Sequence, residues 1–83
     1  MRAQFEVLKH EAGKYIHIRD IGHNTGRTIT NDAEYVIGQL FSEYGITENT
    51  RVFYVDSAGR IDELVHHGRK FTTFKAGHEG VEL

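Results

Sequence analysis

The chain has 83 residues, enough for one domain. Ten basic against twelve acidic side chains give a formal net charge of −2, and 39% of the residues are apolar. There is no Cys, which excludes disulfides, thiol catalysis and zinc-ribbon sites. The near-neutral balance argues against a non-specific nucleic-acid binder. The longest unbroken apolar run is Val52–Val55, far too short to span a bilayer. The opening MRAQFEVLKHE lacks the apolar region of a secretory signal.

Residues 3–9 alternate in part, with Phe5 and Val7 on one face and Gln4 and Glu6 on the other. His10–Gly13 reads as a turn. Residues 14–20 then place Ile16 and Ile18 opposite Tyr15, His17 and Arg19. Two alternating runs joined by a Gly-containing turn predict a β-hairpin.

A polar loop, Gly22–Thr28, follows. Its Gly-rich spacing is superficially that of a phosphate cradle. It fails in detail, with three residues between the glycines and Arg27 where Lys is required. The expected helix also starts too late to reach the same phosphate.

Ala33, Val36, Ile37, Leu40, Phe41 and Tyr44 then recur with the helix period. They predict a helix over 31–44, capped by Thr30 or Asn31, with Asn31 and Glu34 spaced as in a capping box. Gly45 suits a left-handed residue just past its end. RVFYVD (51–56), IDELVHH (61–67) and RKFTTFK (69–75) read as three more strands. Together these elements predict an α+β fold of two layers: an antiparallel sheet of four to five strands, in the order β-β-α-β-β-β, with one helix on one face. Residues 1–76 form a single domain and 77–83 a loose tail.

One helix covers one sheet face. Yet Val52 and Tyr54 alternate with Phe53 and Val55, so the central strand is apolar on both sides. The second face is expected to be covered by the tail, by a partner protein or by a second copy in a homodimer, or to stand as tolerated exposed surface. No disulfide reinforces so short a chain. Its stability rests on one good core, or on a core completed by a partner.

The helix's outer face centres on Tyr35, Gly38, Gln39 and Ser42, with Tyr35 expected either to lean onto the sheet edge or to serve as an exposed aromatic anchor for a partner. Gly38 costs about 1 kcal/mol relative to Ala inside a helix. Between Arg27 and Arg51 stand the acids Asp32, Glu34, Glu43 and Glu48 and no base, so the helix side should be acidic. Glu34 and Glu43 are placed as the polar rim of a partner-binding site.

The six His include the cluster DELVHH (62–67). On a strand, His66 and His67 point to opposite faces, and Asp62 stands about 13 Å from His66, too far to share a metal. Ser57 beside Asp56 has no His oriented on it, so no nucleophile is activated. No enzyme activity, metal or cofactor is therefore expected. An alternative function is nucleic-acid binding by Arg51, Arg60, Arg69 and Lys70, with Tyr15, Phe53, Tyr54 and Phe71 offering stacking surface.

The strings TITNDAEYVI, RVFYVDSAGRIDELVH and GRKFTTFKA, within residues 14–75, resemble a pattern in small uncharacterised proteins of bacteriophages and other bacterial mobile elements. The resemblance implies an accessory protein in the bacterial cytoplasm. Such a protein works by binding and inhibiting a host protein or defence complex, small inhibitors of CRISPR–Cas systems being one class.

Overall fold

The computed structural model describes residues 4–21 and 26–75. The expected tail 77–83, and positions 22–25 of the polar loop, lie outside the described residues. Strands β1 (Phe5–Glu11) and β2 (Tyr15–Asp20) form the first hairpin. Its turn needs Gly13, which sits at φ 76°, a conformation costly for residues with a Cβ. Helices α1 (Gly26–Asn31) and α2 (Ala33–Tyr44) follow, then β3 (Arg51–Val55), β4 (Ile61–His67) and β5 (Lys70–Lys75).

The five strands form one sheet in chain order. The α+β two-layer architecture is as the sequence predicts, with one refinement. The sheet is mixed, because β2 and β3 run parallel, pairing Ile16 with Val52 and Ile18 with Tyr54. The helices cross over between these two strands, and such a connection returns the chain in the same direction. The other neighbouring pairs are antiparallel.

The helical segment also differs from expectation. Helix α1 occupies 26–31, so the chain turns helical at the second glycine of the loop, earlier than predicted. Asp32, at φ −115° and ψ 38°, separates it from α2 and is the N-cap residue, with no side-chain capping bond. The expected Asn31–Glu34 capping box is therefore not formed: Asn31 ends α1. The C-terminal expectation holds. Gly45 is left-handed at φ 63°, its N–H donates to Phe41 O at 3.1 Å, and the chain turns to bury Ile46.

The core lies between helices and sheet. Ile16, Ile18, Val52, Tyr54 and Leu64 from the sheet meet Ile29, Val36 and Leu40 from the helices. Each aliphatic side chain fully buried there contributes about 1.5–3 kcal/mol. On the opposite sheet face, Phe53 is also fully buried. It lies 5.2 Å from the His17 ring and 5.0 Å beneath the Arg51 guanidinium. The chain thus buries this residue itself, and Phe53 leaves no bare apolar surface to demand a second copy.

Candidate functional site

The amphipathic period of α2 directs Val36, Ile37 and Leu40 inward and leaves the opposite stripe towards solvent. The structure brings the predicted set together there. Glu34, Tyr35, Gly38, Gln39 and Ser42 line a shallow concavity of about 380 Å³, joined by Arg69. A second groove of about 570 Å³ adjoins it at Tyr35 and Gln39, between α2 and the edge strand β1, and includes Glu43. The six candidate residues thus lie on one continuous surface.

Two of them have a packing role of their own. Tyr35 is half-buried and packs against the core, so its ring is a wall of both concavities instead of a free anchor. A residue on the flank of a helix stripe can lean over the neighbouring strand, and this one does. Gly38 has a packing reason: a Cβ there would stand 3.1 Å from Arg69 Nη1. The β4–β5 turn carries Arg69 across the helix, where the missing side chain leaves room for the guanidinium.

The helix side is consequently less uniformly acidic than expected. Arg69 enters it from the far end of the chain, and Glu48 is engaged by the same turn, accepting from Gly68 N–H at 3.3 Å. Glu34 and Glu43 are exposed and form no ion pair among the described residues. Arg69 is the site residue that sequence reasoning assigned elsewhere. Its place on α2 follows from the sheet register, for which no local signal exists.

The basic set of the alternative function is split between the two ends of β4, with Arg60 apart from the other three. Arg51 donates to Glu63 through two bonds of 3.0 and 3.2 Å, which raise its pKa further. Arg60 lies 3.6 Å from Asp62 in the turn at the opposite end of β4 from Arg69. Lys70 is exposed at the start of β5. Of the proposed stacking residues, Phe53 and Tyr54 are buried.

His66 and Asp56 have structural partners. His66 Nε2 lies 2.7 Å from Thr50 O, so this nitrogen carries the proton and donates it. Asp56 Oδ1 accepts from Ala58 N–H and Arg60 N–H, both at 2.9 Å, which fixes the turn holding Ser57. Among the described residues no three His, Cys, Asp or Glu side chains converge to hold a metal ion.

Three buried polar atoms have no hydrogen-bond partner among the described residues: His17 Nε2, Tyr54 Oη and His66 Nδ1. Burial, and secondarily Lys9, pushes the His17 pKa down. Burial, with Asp20, Asp56 and Asp62 nearby, pushes that of Tyr54 up. No described helix is long and apolar enough to cross a membrane.

Compared with protein-family models, curated proteins and solved structures, the chain has no match.

Proposed function

We propose that the protein is a small non-enzymatic interaction module that docks a partner protein on the outer face of α2. The observation that carries this reading is the convergence of Glu34, Tyr35, Gly38, Gln39 and Ser42 on one concavity, continuous with the groove at Glu43. Half-buried Tyr35 supplies rigid aromatic area in the middle of this surface, and Glu34 and Glu43, without an ion pair among the described residues, supply its rim, the arrangement of a small protein-binding patch. The sequence resemblance extends the proposal to a phage-encoded inhibitor of a bacterial host protein or defence complex, acting in the cytoplasm. The nucleic-acid alternative draws less support, because Arg51 and Arg60 already face carboxylates of their own chain.

The test is capture of a bacterial partner on tagged wild-type protein, compared with Gln39→Lys and Ser42→Lys. Both positions lie outside the core, so these variants should fold. A partner retained by wild type and lost with both variants is the expected result. Equal retention by folded variants overturns the assignment of this face, and a salt-dependent gel shift with DNA or RNA, without protein capture, favours the alternative.

A further inference from the structure

We propose that the edge of β1 and the groove beside it receive an extended, basic segment of the partner as an added strand. The inference rests on the interaction reading above and specifies its mode.

The backbone sets the geometry. Ile21 N–H donates to Gln4 O at 3.0 Å, and Phe5 is opposite Asp20. In an antiparallel pair, inward and outward backbone groups alternate. Gln4 and Glu6 therefore turn their N–H and C=O toward β2, while Phe5 and Val7 turn theirs outward. β1 is the end of the sheet, so among the described residues no strand takes up these outward groups. Phe5 and Val7 also line the groove against α2. One pair of residues thus offers both the ladder bonds and the floor.

A strand added here places the side chains opposite Phe5 and Val7 on the same face, over Tyr35 and Tyr44. The register is limited to a short stretch, because a bulge interrupts β1 between Val7 and Lys9.

Charge selects the occupant. Glu43 stands on the groove, and no Lys or Arg is among its described lining residues. An incoming Lys or Arg compensates Glu43, whereas a second copy of this chain brings another Glu43 to the same seam. A basic partner segment is favoured over self-pairing.

The probe is a short N-acetylated peptide of alternating Val and Lys, titrated into isotope-labelled full-length protein and followed by amide chemical shifts. The expected result is perturbation of the Phe5, Val7 and Glu43 amides. A Val/Glu peptide should bind more weakly by up to about fivefold, the scale of one exposed ion pair. Methylating alternate backbone nitrogens of the Val/Lys peptide should abolish binding, and Glu43→Lys should reverse the preference between the two peptides. Absence of binding, binding that leaves the β1 amides unmoved, or insensitivity to methylation overturns the proposal. So does a concentration-dependent shift of the β1 amides without peptide, accompanied by a dimer in light scattering. Partner capture that depends on Gln39 and Ser42, in a protein whose β1 ignores the peptide, leaves the interaction reading standing and removes only the strand mode.

Discussion

Arg51 and Glu63, twelve positions apart in the chain, meet on the open face of the sheet in a fork of two hydrogen bonds, Nη2 to Oε1 at 3.0 Å and Nε to Oε2 at 3.2 Å. The same guanidinium lies 5.0 Å over the Phe53 ring. The pair therefore satisfies a buried carboxylate and roofs a buried aromatic at once.

Removing the guanidinium should hurt more than its half-exposed position implies. Arg51→Ala leaves Glu63 short of its charged partner and uncovers Phe53. We expect a loss of about 1–2 kcal/mol in urea unfolding, at the low end for a charged hydrogen bond because water reaches Arg51. Arg51→Lys keeps the charge but not the fork, and should recover only part of it. A wild-type midpoint for Arg51→Ala would show the pair to be neutral.

This pair also marks where the sequence ceases to be legible. The core stripe of α2 was readable because Ala33, Val36, Ile37 and Leu40 recur within a few residues, where helix geometry alone decides what faces inward. The pairing of Arg51 with Glu63 depends on the β3–β4 register, and the parallel β2–β3 pair depends on a crossover, and both are tertiary facts. Helix α1 escaped because its β-branched Thr28, Ile29 and Thr30 are weak helix formers. A signal was nevertheless present: Ile29, Ala33, Val36 and Leu40 continue one helical period, and Ile29 is fully buried in the same core. Helix period alone places the six candidate residues together, while Arg69 and the groove against β1 require the assembled sheet.

Acid should weaken the fold through His17. Its ring is packed between Tyr15 and Phe53, and its pKa lies below the ordinary 6.5 because burial disfavours the charged ring. The folded chain then binds the proton less tightly than the unfolded chain. This stability is present above pH 6.5 and is lost as pH falls through 6.5 toward the folded value. His17→Phe should show a smaller drop in urea midpoint than wild type between pH 7 and pH 5. Parallel curves for the two proteins would show that protonation of His17 does not contribute.

Tyr54 makes the opposite prediction at alkaline pH. Burial and the three nearby aspartates hold its phenol protonated beyond the ordinary 10.0. The unfolded chain ionises first, so stability is present below pH 10 and falls as pH rises above it. Tyr54→Phe should remove that component. It should also leave neutral-pH stability unchanged or raise it by up to about 1 kcal/mol, because the hydroxyl has no partner to lose among the described residues. Thermal unfolding at pH 7 and pH 10.5 separates the two effects, and a destabilised variant at pH 7 would mean that the hydroxyl is bonded after all.

Gly38 sets helix stability against surface shape. Replacing it with Ala removes a penalty of about 1 kcal/mol for glycine inside a helix. The new Cβ would meet Arg69 Nη1 at 3.1 Å, closer than ordinary contact. That atom is the tip of an exposed side chain, which can retreat by a few tenths of an ångström at little cost. Gly38→Ala should therefore stabilise the fold, by about 0.5–1 kcal/mol in urea unfolding. It should also push the guanidinium back slightly and add a methyl group at the centre of the concavity. On the proposed function, partner capture then weakens while stability rises, a divergence that damage to the fold cannot produce. Arg69→Ala provides the control. In that background Gly38→Ala should give its full helix gain, and the difference between the two backgrounds measures how firmly Arg69 is held. Loss of stability in both backgrounds would mean that the glycine serves the helix itself, and the surface explanation of Gly38 would fall.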